Sequence, residues 1–364
     1  MSLLPFPLID PHIHQWDPAH TPHKAGLAVQ LLGRYPRILD AVARATQPKA
    51  ILQSLGLTDY ALAPYLPQNY ALDVAPYQVD AVVHVEADWH HQHGVEVVEE
   101  TRWLMGLPFG HPLPRLGGIV AKANPLHPSF EQVLRAHRDA SPLFRGIRYM
   151  GSFHPDPDVK KWCPQANTYS NPIFRKRFAL LAKYGLSFDA WAYSLQLPEV
   201  IALAKAHPEV PLVIDHLATP VGLFGPIGRE TGRTVADRAA IFSRWQNDIA
   251  QLAELPHVHA KVSGLLMPVL GHDFHLRGQK ASMPEIVERL SPMVDHAVKV
   301  FGVERLMFAS NFPMDKVTAS LPDIITATAQ MIAPHGEAAL KAVFRDNALR
   351  FYRLDCPDIT LSKS

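Results

Sequence analysis

Cysteine is nearly missing from this chain: Cys163 and Cys356 are the two present in 364 residues, far apart and outside any CxxC spacing. That excludes a disulfide framework and a thiolate zinc site, and fits a reducing, cytoplasmic compartment. Charge of one sign is lacking too, since 35 Lys and Arg against 34 Asp and Glu leave a formal net charge of +1. Nucleic acid and anionic membranes are therefore disfavoured as partners, and a small-molecule substrate is expected. No apolar run reaches membrane-spanning length, and the N-terminus has neither a basic leader nor a small-residue cleavage site, so the chain reads as soluble and unprocessed. A GxGxxG turn is absent after the first strand, which argues against dinucleotide binding. No repeat, low-complexity tract or linker divides residues 1–364, which read as a single domain; homo-oligomerisation is left open by the sequence.

What is present is an ordinary globular balance of 48% hydrophobic and 19% charged residues, with histidine (20) and proline (33) both abundant. The stretch Leu8-Ile9-Asp10-Pro11-His12-Ile13-His14-Gln15-Trp16 reads as a first strand. Side chains alternate along a strand, so His12 and His14 are expected on one face with Asp10 one step deeper. An elaborated first connection follows over 17–78, with helical pieces at Arg37–Ala45 and Tyr60–Leu66 broken by prolines. Seven more strands are expected at Asp80–Asp88, Leu116–Ala121, Phe144–Tyr149, Leu186–Ala192, Val210–His216, Val258–Val262 and Arg305–Ala309, with helices between them. Eight βα units favour an α/β fold of the closed (β/α)₈ TIM-barrel type over an open sheet, with long loops after strands six and seven.

In such a barrel the chemistry sits on the loops that follow the strands. His216 ends strand six, which brings a third imidazole to the end that carries His12 and His14. Three histidines with one open position form a catalytic zinc arrangement, so a divalent metal, with zinc preferred, is the expected cofactor. Strand two offers His84, Glu86 and Asp88, although Asp88 is better read as a helix cap or turn residue. Strand five offers Asp189 and Trp191, and buried carboxylates such as Asp189 and Glu86 need a partner or a cation. Arg148 on strand four suits a substrate carboxylate, whereas Arg145 suits a structural ion pair. Lys261 and Ser263 share a face of strand seven with His259, and an inward Lys261 requires an anionic partner or a lowered pKa. Asn311 ends strand eight, where a hydrolase would use an ionisable base; Asp315 is available nearby, but beside Lys316 it reads as a surface ion pair. The loop Gly264–Ala281, with His272, Asp273 and His275, and the long connection after strand one can form a lid, although His275 reads better as plain surface.

Taken together, IDPHIHQW, VVHVEADW, RGIRYM, VIDHLATP, KVSGL, FASNFP and DNALRFYRL resemble the amidohydrolase-related metal-dependent hydrolases of TIM-barrel fold. Within that group the chain looks most like the branch of L-fuconolactonase-type sugar lactonases and 2-pyrone-4,6-dicarboxylate lactonase. The resemblance implies hydrolysis of a lactone or related ester by activated water. It makes His12 and His14 the strand-one pair and His216 the strand-six histidine, with Arg148 holding a substrate arm and Glu86, Trp191, Lys261 and Ser263 around it. Proton transfer would fall to Asp189, Glu86 or Asp315. Asn311 stands where much of the family has an aspartate that binds metal or activates water, and members of this branch also work without a tightly held metal. The rival readings are a non-oxidative decarboxylase of an aromatic or unsaturated acid, and a non-catalytic ligand-binding barrel.

Overall fold

The computed structural model describes residues 4–22, 29, 31–32, 35–56, 59–87 and 89–355; Asp88 and Cys356 lie outside them. Eight parallel strands follow one another around the sheet in sequence order: β1 Leu8–Ile13, β2 Val79–Val85, β3 Arg115–Lys122, β4 Phe144–Met150, β5 Ser187–Trp191, β6 Leu212–Ile214, β7 Val258–Val262 and β8 Leu306–Phe308. The seam between first and last is stitched just beyond β8. His14 N–H donates to the Phe312 carbonyl and Asn311 N–H to the His12 carbonyl, both at 2.9 Å. With helices between successive strands, this is the expected (β/α)₈ barrel.

Inside, Ile9, Ala81, Val83, Val120, Val213 and Met307 form an apolar lower layer, closed from beneath by Phe351, Tyr352 and Leu354 of the C-terminal segment. Outside, the strand faces pack against helices such as Phe130–Ala140 and Met283–Phe301 in the larger apolar cluster. The polar site therefore stands on a dry floor.

Two local departures from strict alternation matter. In β1 the pairing with β2 shifts register between Asp10 and Ile13. Pro11 has no N–H to give to a ladder, which is where such an irregularity belongs. As a result Asp10 does not lie below the histidines: it accepts from the Tyr70 hydroxyl at 2.8 Å and from Ser310 N–H at 2.9 Å, and closes the seam. In β2 the inward residues are Ala81, Val83 and Val85, so His84 faces the helix layer and meets Glu100 at 3.3 Å, while Glu86, past the strand end, turns to the barrel mouth.

The strand expected over Val210–His216 is only Leu212–Ile214. His216, Leu217, Ala218 and Thr219 all have φ between 36° and 61°, a left-handed path that non-glycine residues rarely follow and that is found where function holds it in place. The first connection is helical at Pro36–Thr46, Lys49–Leu55, Asp59–Leu62 and Pro67–Val74, and it folds back over the barrel mouth.

Away from the mouth, His137 on the helix Phe130–Ala140 is buried, receiving the Thr101 hydroxyl on Nδ1 at 2.8 Å and donating Nε2–H to the Lys122 carbonyl at 3.1 Å. Burial lowers its pKa to about 4. Stability from this neutral ring is complete above the unfolded value near 6.5 and is lost as pH falls towards 4. Urea unfolding should show wild type losing about 2 kcal/mol relative to His137→Gln between pH 7 and pH 5; identical pH dependence would contradict the assignment.

Candidate active site

Three imidazoles converge above the apolar floor. The ring centroid of His12 lies 5.0 Å from that of His14 and 4.7 Å from that of His216, so the histidines expected from β1 and the β6 end do meet. Each is tied to the scaffold through Nδ1. His14 donates Nδ1–H to the Val85 carbonyl at 2.8 Å, His216 meets the Ser263 hydroxyl at 2.8 Å, and His12 Nδ1 lies 3.3 Å from Asp215 Oδ1. Such anchoring fixes ring orientation in all three, and for His14, whose Nδ1 partner is a carbonyl, it fixes the Nδ1–H tautomer as well. Burial keeps all three rings neutral. It is the largest cause in each case, lowering His14 to about 3 and pushing His12 and His216 well below their ordinary value, with neighbouring Arg148 and Lys261 adding to the effect on His12.

Beneath the histidines lies an ionic layer that is completely buried. Lys261 Nζ sits 2.6 Å from Asp189 Oδ2, 3.1 Å from Asp215 Oδ1 and 3.1 Å from His12 Nδ1. Tyr352 donates its hydroxyl to Asp189 at 2.8 Å from below. Asp189 and Lys261 therefore answer each other's need for a partner, and neither lines the cavity. Burial raises the Asp189 carboxyl against the lowering influence of Lys261. Asp215 was not among the residues selected from the sequence. Its only signal there was its position, a carboxylate directly before a strand-end histidine.

A cavity of about 450 Å³ opens above, with His14, His216, Asn311, Arg148 and Glu86 at its base and the two indoles of Trp162 and Trp191 on one side. Arg148 uses its fork on Glu86, donating from Nε to Oε1 at 2.9 Å and from Nη2 to the Glu86 carbonyl at 2.7 Å. The expected bidentate grip on a substrate carboxylate is thus largely spent. Nη1 lies 3.4 Å from His12 Nε2, and the guanidinium packs over the Trp191 ring. Arg145 stays at the barrel bottom, donating to the Pro142 carbonyl, as its structural reading required.

Asn311 sits with φ 56°, a conformation that asparagine tolerates. Its Nδ2 donates to Asp315 Oδ1 and its Oδ1 faces His14 Nε2, each at 3.4 Å. Asp315 corrects an expectation: it is buried, and Lys316 pairs with Asp73 at 2.6 Å instead. Burial raises the Asp315 pKa to about 8, leaving it largely protonated at neutral pH. The loop Gly264–Ala281 sends Met267 to the cavity, whereas His272 is tucked away against the Leu265 carbonyl and His275 does not reach the site.

The donors fit a divalent cation. With Nδ1–H of His14 committed to Val85, its Nε2 and the Asn311 oxygen are two acceptors facing each other, an arrangement that a cation between or beside them relieves. Among the described residues, the tightest group of ionisable donors is His12, Asp215 and His216, whose ligand atoms lie within 4.8 Å of one another. Lys261 already stands against both His12 Nδ1 and Asp215, and Arg148 Nη1 lies 3.4 Å from His12 Nε2, so of the three rings it is His14 and His216 that line the cavity, with the Asn311 oxygen facing His14 Nε2.

A parallel barrel with a buried histidine and carboxylate cluster at the C-terminal strand ends has its polar side chains where such barrels carry their chemistry. The chain belongs to the amidohydrolase family, whose model matches residues 9–354. It is 29% identical over 347 residues to the uncharacterized protein y4mH of Sinorhizobium fredii, covering 95% of this chain and 98% of that one. An L-fucono-1,5-lactonase of Burkholderia ambifaria is 29% identical over 223 residues, a match spanning 59% of this chain and 63% of the lactonase. Among solved structures, an amidohydrolase from Burkholderia multivorans with bound zinc superposes with a TM-score of 0.68 at 21% identity, covering 96% of this chain and all of the other.

Two substitutions probe this geometry. A Cβ on Gly264 (φ +60°) would lie 2.5 Å from the His216 ring, so Gly264→Ala should displace the imidazole and lower kcat/KM by roughly 100-fold. Lys261→Met leaves Asp189 and Asp215 without their cation and should cost about 3–5 kcal/mol in urea unfolding. Wild-type kinetics in the first, or wild-type stability in the second, would show that these contacts do not hold the site.

Proposed function

We propose that this hydrolase opens a lactone or related small ester by attack of water on the carbonyl. The convergence of three neutral, Nδ1-anchored imidazoles at the floor of a cavity carries the reading, and the relationship to an L-fucono-1,5-lactonase supports it. His12, His14 and His216 hold the divalent cation, zinc in preference, as is bound in the Burkholderia multivorans structure. When bound, such an ion polarises a carbonyl and acidifies water.

The remaining work falls to the chain itself. Arg148 Nη1, next to His12, donates to oxygen that gains negative charge during attack. Glu86, held by Arg148 through Oε1, is the one carboxylate among the described residues lining the cavity, and it takes the proton of the attacking water. Asp189 is committed to Lys261 and Tyr352 below, and Asp315 lies behind Asn311, so neither reaches the water. Asn311 orients rather than ionises: its amide carries hydrogen bonds where an aspartate would carry charge. The first connection lends Ile51, Ala61 and Leu62 to the cavity lining, and this apolar surface lowers the local dielectric around these electrostatic contacts.

His12→Ala and His14→Ala should each lower lactone kcat/KM by at least ~1,000-fold while circular dichroism stays native; full activity in either contradicts the site. Glu86→Gln should lower kcat more than it changes KM, by about 100-fold or more. Elemental analysis of gently purified protein should find a divalent metal that is lost on chelation together with turnover. Carbon dioxide release from carboxylated aromatics without lactone cleavage would favour the decarboxylase reading instead.

A further inference from the structure

Above its polar base, the cavity turns apolar. Among the described residues nineteen line it, and eleven of them are tryptophan, methionine, leucine, isoleucine or alanine. The polar members cluster at the base as His14, Glu86, Arg148, His216 and Asn311, which leaves Gln47, Ser54 and Lys160 for the walls. Even these offer little to a hydroxyl group. Ser54 already donates its hydroxyl to the Ala50 carbonyl at 3.0 Å, Gln47 is exposed at the rim, and the Lys160 ammonium lies over the Trp162 ring, 5.0 Å from its centroid.

A sugar lactone would bring several hydroxyls into this space, and each one buried without a partner costs binding energy. The walls instead suit a flat apolar ring. Trp162 and Trp191 stand with centroids 5.0 Å apart and planes inclined at 43°, an angled aromatic surface that accepts another ring by offset or edge contact. Ile51 and Leu62 join the lining from the connection after β1, and the thioethers of Met267 and Met314 from the loops after β7 and β8, with Trp162 packed against the cluster that holds Met267. Thioethers adapt readily to aromatic faces. The connection after β1 therefore also contributes aliphatic surface to substrate selection.

We propose that the substrate is an aryl-bearing, hydroxyl-poor lactone or cyclic ester, its ring held against the Trp162–Trp191 surface among Met267, Met314, Ile51 and Leu62, with its carbonyl over the histidines. This rests on the hydrolase reading above. In the reaction the water oxygen bonds to the acyl carbon, the ring C–O bond breaks, and the water proton passes by way of Glu86 to the departing oxygen. The product is a hydroxy acid, and no oxidant or further reactant is needed.

The test compares dihydrocoumarin with L-galactono-1,4-lactone as substrates of the metal-loaded enzyme, and measures calorimetric binding of 3-(2-hydroxyphenyl)propanoate, the ring-opened aryl product. The structure predicts kcat/KM at least ~100-fold higher for dihydrocoumarin, and product binding weakened about tenfold by Trp162→Ala and by Met267→Gln. Preference for the galactonolactone would overturn the substrate class while leaving lactone hydrolysis standing. Cleavage of neither lactone, with saturable product binding that Trp162→Ala weakens, would support the aryl pocket and remove the hydrolase reading. Product binding unaffected by both substitutions, or no binding, would overturn the aryl pocket.

Discussion

A single buried cation organises the barrel mouth. Lys261 reaches Asp189, Asp215 and His12 from β7 with no solvent contact. Two carboxylates in an apolar barrel would repel each other and favour protonation. With the ammonium between them they become a fixed base, and Asp215 is then held beside His12 Nδ1. The orientation of the first imidazole, and through it the spacing of the other two, follows from that layer. Because removing one partner leaves the others buried without compensation, the layer tolerates change poorly.

The second constraint is backbone. His216 reaches His12 because the chain leaves β6 after Ile214 and runs left-handed through Thr219, and because Gly264 has no Cβ to meet the ring. Asn311 shares the same device at the end of β8. Strained turns at two strand ends and a glycine at a third bring side chains together that regular strands would hold apart. Ser263 and Val85 then hold the His216 and His14 rings in place, and the Val85 carbonyl fixes the His14 tautomer, so the site is shaped before any ligand arrives.

Much of the architecture was legible in the chain. The βα alternation predicted the barrel, and Val258–Val262 was placed to the residue. His12, His14 and His216 were expected together because strand ends in a parallel barrel share one rim, and their rings do meet. What escaped was whatever depends on side-chain partners. Asp215 is indistinguishable in sequence from a turn residue until Lys261 is seen against it. Arg148 read as a substrate clamp because nothing in the chain reveals that Glu86 already fills its fork. Asp315 read as a surface partner of Lys316, yet the chain folds it inward and gives Lys316 to Asp73. Alternation misplaced Asp10 because Pro11 interrupts the ladder, a local event that shifts every face before it. The apolar cavity wall comes from loops whose course no periodicity encodes.

Three imidazoles stay neutral over a buried lysine–carboxylate layer, each held to the scaffold through Nδ1, with His14 and His216 facing the cavity. Long-range proton–nitrogen NMR of selectively labelled histidine measures this directly. All three rings are expected to remain neutral from pH 8 down to pH 5, His14 as the Nδ1–H tautomer, and their ring-nitrogen resonances to shift together when zinc is added. Titration of these rings near the ordinary histidine value, or zinc-induced shifts confined to other histidines, would contradict it.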